Sequence, residues 1–303
     1  RAKASGNFKQ VPANLSWVVI SDREDSMFLG YEQIESQSYI CKYSKTDDYT
    51  ILVLDQTPFY AESGGQVGDT GFIIIGEDSL TVLDCQKSGD EIHHICSGDF
   101  NNDILSEPVS CKIDFDHRQR IRKNHTATHL LHAALKQILG EHVHQAGSLV
   151  HPEYLRFDLT HSEKISNQEI LKIENLVNDE IQKNIRLDIE LKDFDVAKSE
   201  GAEALFGEKY GDEVRVISIG DFSMELCGGT HVSRTGDIGL LKVTEESSLA
   251  AGVRRLVAVT GPEAINHIQK NAYIIHKLQE VLGTKADEIS YRVNHLINEK
   301  KEL

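Results

Sequence analysis

Residues 117–139 read HRQRIRKNHTATHLLHAALKQIL, and with this stretch the strand-like pattern of the preceding chain gives way to a helical one. Apolar side chains return at the helical spacing of three and four residues, which predicts an amphipathic helix packed on a core. Gly140 follows directly and is a typical C-terminal cap. The members of the apolar stripe are Ala127, Leu131, Ala134, Leu135 and Ile138.

A second face of this helix carries His125, His129 and His132. The i, i+4 spacing places the first two imidazoles side by side. Farther along the chain, Cys227 and His231 flank two glycines, which let the backbone turn tightly enough for a thiolate and an imidazole to converge. Zinc takes such ligands in tetrahedral geometry. The sequence therefore predicts one zinc site built from two distant motifs, with His132 in a supporting or structural role.

Other interpretations of the two motifs fit less well. A histidine pair at this spacing also occurs on ordinary helix surfaces, but a Cys-x-x-x-His turn on two glycines has no evident packing role. Zinc fingers keep their ligand pairs close in sequence, and Thr126 stands where metalloproteases carry a general-base glutamate. Four protein ligands form the closed pattern of a structural zinc, whereas a catalytic zinc keeps one position open. We therefore hypothesise that one ligand is displaced when substrate arrives.

Composition limits the classes of protein to which the chain can belong. Its 303 residues are enough for about two domains. The formal net charge of −16 argues against non-specific coating of nucleic acid. No apolar run is long enough to span a membrane, and no signal-peptide core is present. The five cysteines show no paired spacing, which suits a reducing compartment. We expect a cytoplasmic protein with no membrane partner.

A local basic run precedes the histidine motif. It consists of Arg118, Arg120, Arg122 and Lys123. Such a run is often plain solvated surface, and its position next to the histidines makes phosphate contacts the functional alternative.

Three regions differ in their pattern. Short strand-like segments fill 15–115, which predicts an antiparallel sheet closed into a small β-barrel. Residues 116–261 mix helices and strands, with Ser166 and Glu169 as a capping box, and predict an α+β unit with helices on one face of a mainly antiparallel sheet. From 262 onward a heptad-like apolar spacing predicts a helical, coiled-coil-like segment. A helical hairpin packed on the second unit is the alternative.

A glycine-rich stretch stands out in the first region, where residues 57–71 read TPFYAESGGQVGDTG. It lacks the Lys-Ser/Thr of a phosphate-binding loop and the helix context of a dinucleotide fingerprint. Glycines in a small barrel also serve bends and bulges. The functional alternative is close approach of a ligand to Ser63 and Gln66 beside the two glycines.

Seven motifs occur in the order found in the editing region of bacterial alanyl-tRNA synthetases, and the chain resembles that family over nearly its whole length. The motifs are RAKASG at 1–6, TPFYAESGGQ at 57–66, NHTATHLL at 124–131, QAGS at 145–148, ALFGEKYGD at 204–212, CGGTH at 227–231 and AAGVRR at 250–255.

The resemblance implies a division of the chain. Residues 1–14 would end a preceding tRNA-recognition domain, and 15–115 would form a translation-factor-like β-barrel. Residues 116–261 would form the zinc-dependent editing domain that is also found in threonyl-tRNA synthetase and in free-standing AlaX-type proteins. Residues 262–303 would be a helical linker toward a C-terminal domain. Class II aminoacylation motifs are not evident, so we expect a fragment that does not make alanyl-adenylate.

The resemblance also implies an activity, the hydrolysis of misacylated Ser-tRNA(Ala), with Gly-tRNA(Ala) as a further candidate substrate. Zn²⁺ would be held by His125, His129, Cys227 and His231. Because serine is larger than alanine, the site must recognise the hydroxyl group. The candidates for that role are Thr126, Thr128 and Gln145. The candidates for other substrate contacts are Ser63, Gly64, Gly65, Gln66 and Arg254.

The expected partners are the acceptor end of tRNA(Ala) and the remaining domains of the same synthetase, with a homodimer through the C-terminal helices as a further candidate. Two alternatives stay open. One is a free-standing AlaX-type trans-editing protein, and the other is a structural-zinc module that only binds tRNA or dimerises. The role of zinc also stays open, because a bound metal can activate water, polarise the ester or orient the amino group.

Overall fold

The computed structural model describes residues 15–23, 26–100, 105–204 and 211–302. The predicted segment 1–14, with its motif at 1–6, lies outside the described residues, as does most of the motif at 204–212. In the described part, a strand-rich first unit is followed by a mixed second unit and two C-terminal helices. The mixed α/β character expected from the sequence is confirmed.

The first unit contains ten strands before the first helix of the described chain. The strands are β1 (Val18–Val19), β2 (Met27–Phe28), β3 (Glu35–Ser38), β4 (Ile40–Lys45), β5 (Thr50–Leu54), β6 (Gln56–Thr57), β7 (Gly71–Ile75), β8 (Asp78–Ser88), β9 (Glu91–Ser97) and β10 (Val109–Ile113).

Eight of these strands form one curled sheet in the order β1-β4-β5-β9-β8-β7-β10-β3, and its paired neighbours run antiparallel. Strands β2 and β6 pair in parallel beside it. In β7, Ile73 and Ile75 point into the core while Phe72 and Ile74 are exposed, as the two-residue period of a strand requires. Among the described strands β1 and β3 end the order, so closure into a barrel stays a prediction.

The predicted helix is present as α1 (Phe115–Leu139). Asp114 caps its start by accepting a hydrogen bond of 3.0 Å from the backbone N–H of His117. Gly140 follows the helix with a φ of 116°. The predicted apolar stripe faces the core of the second unit, and its fully buried members are Ala127, Leu131, Ala134 and Leu135.

The second unit adds strands and helices both before and after residues 205–210. The elements are β11 (Gln145–Val150), β12 (Leu155–Thr160), α2 (Asn167–Gln182), β13 (Leu187–Asp193), α3 (Phe194–Ser199), β14 (Glu213–Ile219), β15 (Ser223–Leu226), β16 (Leu241–Ala250) and β17 (Val253–Thr260).

These strands form two antiparallel sheets rather than the single sheet predicted, with orders β11-β12-β17-β16 and β13-β14-β15. Strand β14 lies at the centre of the second of these sheets, with one edge on β13 and the other on β15. The capping box at the start of α2 is confirmed: Ser166 Oγ accepts from the backbone N–H of Glu169 at 3.2 Å, and the Glu169 carboxylate accepts from the backbone N–H of Ser166 at 2.8 Å. Helices α1 and α2 contribute to the same apolar core.

The chain continues as two helices, α4 (Gly261–Leu282) and α5 (Ile289–Glu302). Gly283 ends the first of them in the left-handed region, with a φ of 59°. The predicted seam residues Ile268, Ile275 and Leu278 are 43%, 45% and 42% exposed. The helical segment is therefore confirmed, whereas its coiled-coil packing stays a prediction. None of the described helices combines the length and the apolar character needed to cross a membrane.

Candidate metal centre and adjoining cavity

The structure brings the two distant motifs together. His125 and His129 lie one turn apart on α1, Cys227 directly follows β15, and His231 follows the double-glycine turn. Their four candidate ligand atoms all lie within 4.8 Å of one another. The sulfur of Cys227 is 3.4 Å from Nε2 of His125 and 3.3 Å from Nε2 of His231. Ligands bound to one tetrahedral zinc lie roughly 3.3–3.6 Å apart, so this side-chain cluster fits a single metal ion of that size.

The Nδ1 atom of each of the three histidines faces a polar partner. Nδ1 of His125 is 2.7 Å from Oε1 of Gln66, and Nδ1 of His231 is 3.2 Å from Oγ1 of Thr126. Nδ1 of His129 is 2.9 Å from the Glu225 carboxylate, in an ion-pair contact rather than an aligned hydrogen bond. Metal-binding histidines usually engage their second nitrogen in this way. This arrangement directs the three Nε2 atoms toward one another and toward the thiol.

The charges in the cluster favour a bound cation. Burial opposes ionisation of the Cys227 thiol, but the neighbouring imidazoles outweigh it and hold its pKa well below the usual range. Burial also raises the pKa of Glu225, yet the charge of His129 reverses that effect and lowers it to about 2. His231 is kept neutral because burial lowers its pKa to about 3. Burial lowers the pKa of His129, but the charges of Glu225 and Cys227 outweigh it and raise the pKa to about 10, so a bound metal would displace a proton from this ring. The Cys227 thiolate and the neutral His231 imidazole already have the protonation states that metal binding requires.

The turn that carries Cys227 is held by two side chains. Arg215 donates from Nη1 to the backbone carbonyls of Cys227 and Gly229, at 2.9 Å each. The Tyr31 hydroxyl donates to the carbonyl of Gly228 at 2.6 Å, and the Arg215 guanidinium lies 4.1 Å above the Tyr31 ring. Three successive carbonyls are thus fixed. A Cβ atom at Gly229 would lie 2.0 Å from Cε1 of His125, so no larger residue fits there without movement.

A cavity of about 450 Å³ adjoins the cluster. Its volume lies in the usual range for small-molecule sites. His125, His129 and Cys227 line it, whereas His231 is not among its lining residues. Predicted residues from both units contribute to the same wall, namely Ser63 and Gly64 from the first unit and Thr128 and Gln145 from the second. The structure therefore places part of the predicted substrate site against the predicted metal ligands.

The remaining predicted site residues lie elsewhere. Gly65 and Gln66 belong to the same loop as Ser63 but do not line the cavity, and Gln66 is fully buried against His125. Thr126 is also fully buried; its Oγ1 accepts from the backbone N–H of Val232 at 3.2 Å. Arg254 pairs with Glu246, with Nε 2.7 Å from the carboxylate, and is not part of the cavity wall.

The basic run is arranged differently from the prediction. Arg118 is completely buried and pairs with Asp69, so its predicted contact with phosphate is wrong in this fold. Arg120 faces Glu263 at 3.6 Å, and Arg122 lines a separate cavity. From sequence alone, a charged residue is expected on the surface unless an oppositely charged buried partner is known. The partner of Arg118 could not be identified, because Asp69 lies 49 residues earlier in the chain.

Several residues of the site were not identified from the sequence. Lys87 and Arg215 are the cationic side chains among the described residues of the cavity wall, and Tyr60 and Glu225 also line it. Glu225 lies on β15 two residues before Cys227, which directly follows that strand, and both line the cavity, as the two-residue period of an extended chain leads one to expect. This two-residue spacing is the feature of the sequence that could have identified Glu225 as part of the site. No comparable feature of the sequence identifies Lys87.

Comparisons with known proteins agree with the geometry. Residues 214–257 match the family model described as the second additional domain of threonyl and alanyl tRNA synthetases, and residues 1–117 match the model of class II (A) tRNA synthetases. The latter match falls largely on the first unit, so the expectation that the chain lacks the aminoacylation domain stays a prediction.

Two relatives of the chain are both named alanine–tRNA ligase. The chain is 50% identical over 255 residues to the alanine–tRNA ligase of Pseudoalteromonas translucida, covering 84% of the chain and 29% of that protein. It is 43% identical over 312 residues to the alanine–tRNA ligase of Hydrogenovibrio crunogenus, covering 100% of the chain and 36% of that protein. The chain thus spans about a third of the length of these relatives. By both the matched models and these relatives, the chain belongs to the alanyl-tRNA synthetase family.

Proposed function

We propose that the cavity hydrolyses the ester of misacylated tRNA, chiefly Ser-tRNA(Ala) and also Gly-tRNA(Ala), with Zn²⁺ held by His125, His129, Cys227 and His231. The observation that carries the proposal is the position of three of these side chains on the wall of a cavity that also presents Thr128 and Gln145. A bound zinc would supply a Lewis acid and a water of lowered pKa next to the ester.

Discrimination against alanine would rest on the substrate hydroxyl. An aminoacylation pocket shaped for alanine rejects serine poorly, because the side chains of these two amino acids differ by only one hydroxyl group. In the cavity, Thr128 Oγ1 donates to the backbone carbonyl of Asn124 at 2.8 Å, so its lone pairs remain to accept a hydrogen bond. Leaving such a partner unpaired costs about 1–3 kcal/mol. Thr128 is therefore the strongest candidate for recognising serine, with Gln145 beside it on the wall.

Thr126 would act differently from the sequence prediction. Its hydroxyl contacts Nδ1 of His231 and is fully buried, so we assign it the orientation of a metal ligand rather than contact with substrate. Ser63 and Gly64 would border the bound 3′ adenosine from the side of the first unit.

The wider predictions are part of the same proposal. We assign 15–115 to a barrel-like unit, 116–261 to the editing domain and 262–303 to a helical linker, supported by the starts of α1 at Phe115 and α4 at Gly261. The proposed partners are the acceptor end of tRNA(Ala) and further domains of the same synthetase, and the proposed location is the cytoplasm. Dimerisation would use the exposed apolar side chains of α4 and α5.

The test is deacylation of purified Ser-tRNA(Ala) by the zinc-loaded chain, with and without a chelator. We expect hydrolysis that the chelator abolishes and zinc restores, while Ala-tRNA(Ala) stays intact. A structural-zinc module would bind tRNA and leave the ester intact. The relatives are alanine–tRNA ligases of which the chain spans about a third, which favours a synthetase segment over a free-standing AlaX-type protein.

A further inference from the structure

Gln66 lies in a loop of the first unit that is fixed against the second unit. Ser63 and Gln66 form a tight turn through two backbone hydrogen bonds, of 3.1 and 2.9 Å. The turn needs glycine at its centre, because Gly65 has a φ of 83° and a Cβ atom there would lie 2.6 Å from the Ser148 carbonyl. The carbonyl of Gly65 then accepts from the backbone N–H of Val150 at 2.7 Å. This loop is thereby joined to strand β11.

The side-chain amide of Gln66 can take only one orientation. One of its atoms lies 2.9 Å from the backbone N–H of Thr230, and since that N–H can only donate, the atom must be the amide oxygen. The same oxygen is 2.7 Å from Nδ1 of His125, so Nδ1 must carry the proton. Nε2 of His125 is left with its lone pair and faces the sulfur of Cys227 at 3.4 Å.

We propose that Gln66 is a positioning residue for the metal centre, which fixes the Nδ1–H tautomer and the ring orientation of His125. The inference rests on the metal centre of the proposed function. Gln66 is fully buried, its Nε2 donates to Thr230 Oγ1 at 3.0 Å, and a Cβ atom at Gly229 would lie 2.9 Å from its oxygen. The first unit therefore completes a site whose four ligands all belong to the second.

The three histidine partners differ in kind. His129 has the Glu225 carboxylate and His231 has the Thr126 hydroxyl, both supplied by the second unit. His125 alone among the three depends on a side chain from the first unit. Removal of that acceptor leaves its ring free to rotate or to take the other tautomer, in which Nε2 carries the proton and cannot bind metal.

The test compares metal affinity in three variants of the full chain. Gln66→Met keeps the length of the side chain but removes the acceptor, and Gln66→Glu retains an oxygen for both His125 and Thr230. Gln86→Met is the matched control, because Gln86 lies in the first unit and donates to Asp84 away from the cluster. Affinity is measured by Co²⁺ titration of the thiolate absorption and by Zn²⁺ competition with a chromophoric chelator.

We expect Gln66→Met to bind both metals about 10- to 100-fold more weakly than wild type, and Gln66→Glu and the control to bind within a few fold of it. Long-range ¹H–¹⁵N spectra of the zinc-loaded wild type should show His125 protonated at Nδ1, and this signal should be lost in Gln66→Met. Unchanged metal affinity and an unchanged His125 signal in Gln66→Met would overturn the inference, as would wild type that binds neither metal. Wild type that binds metal but leaves Ser-tRNA(Ala) intact would overturn the proposed function alone.

Discussion

Asp69 of the first unit and Arg118 of helix α1 form an ion pair with both side chains 0% exposed. Nε of Arg118 lies 2.9 and 3.0 Å from the two carboxylate oxygens. The guanidinium also donates to the carbonyls of Gly30 at 2.6 Å and Pro58 at 2.9 Å. Tyr60 donates its backbone N–H to Asp69 at 2.7 Å. The pair therefore joins the glycine-rich region to the helix that carries two of the candidate ligands.

Arg118→Met should destabilise the protein by about 3–5 kcal/mol, because it leaves the Asp69 carboxylate buried without a counter-charge. Urea denaturation measures the loss. Arg118→Met with Asp69→Asn should recover part of it, since Asn still accepts from Tyr60 and carries no charge. Arg120→Met is the control: Arg120 is 49% exposed at its side chain and should change stability by no more than about 0.5 kcal/mol. Equal effects at Arg118 and Arg120 would contradict the structural role.

His94 should make the first unit sensitive to acid. Burial lowers its pKa to about 4 from 6.5, and its ring contacts Thr57 Oγ1 at 2.7 Å and the Leu52 carbonyl at 3.1 Å. Between pH 6.5 and pH 4, His94 is protonated in the unfolded chain but stays neutral in the folded protein. The free energy of unfolding therefore falls as the pH drops through this range. The loss is about 3 kcal/mol.

Denaturation of wild type and His94→Gln at neutral pH and at pH 4 checks this sensitivity. Gln can keep hydrogen bonds to Thr57 and Leu52 but does not titrate, so the variant should lose about 3 kcal/mol less over that range. His276→Gln is the matched control, because the His276 side chain is 66% exposed. The same acid dependence in wild type and His94→Gln would show that another group is responsible.

Thr128→Val should separate the two candidate substrates. The Thr128 hydroxyl already donates to Asn124, so it can accept from a substrate hydroxyl, and valine cannot. We expect kcat/KM on Ser-tRNA(Ala) to fall about 10- to 100-fold. Hydrolysis of Gly-tRNA(Ala) should stay nearly constant, because glycine offers no hydroxyl group. An equal loss on both substrates would assign Thr128 to the general shape of the site.

We expect substitution of Lys87 to weaken tRNA binding and substitution of Arg120 to leave it unchanged. Lys87 lines the cavity, whereas Arg120 of the basic run faces Glu263. Lys87→Gln should weaken tRNA binding and reduce the slope of log affinity against log salt by about one unit. Arg120→Gln should leave that slope unchanged. The reverse result would restore the phosphate contacts predicted for the basic run and remove Lys87 from the site.

Local patterns in the sequence predicted the features that depend on neighbours along the chain. The spacing of His125 and His129 and the capping box of α2 both follow from the geometry of a single helix. These local elements appear in the structure as expected.

Features that depend on distant partners could not be predicted in this way. Gln66 meets His125 across 59 residues, and Arg118 is buried because Asp69 lies opposite it. The separate sheet of β13, β14 and β15 was missed although β13 alternates apolar and polar residues, because alternation identifies a strand and not the strands with which it pairs. Burial and hydrogen bonding, rather than local propensity, determine these positions.

Zinc-dependent editing is tested by the initial rate of Ser-tRNA(Ala) deacylation by zinc-loaded wild type and by Cys227→Ala. Cys111→Ala is the control, because Cys111 is buried in the first sheet. We expect hydrolysis by wild type and by the control, loss of most of the rate in Cys227→Ala, and no loss of Ala-tRNA(Ala) with any of the three. Wild type that carries a full complement of zinc and still leaves Ser-tRNA(Ala) intact would contradict zinc-dependent editing.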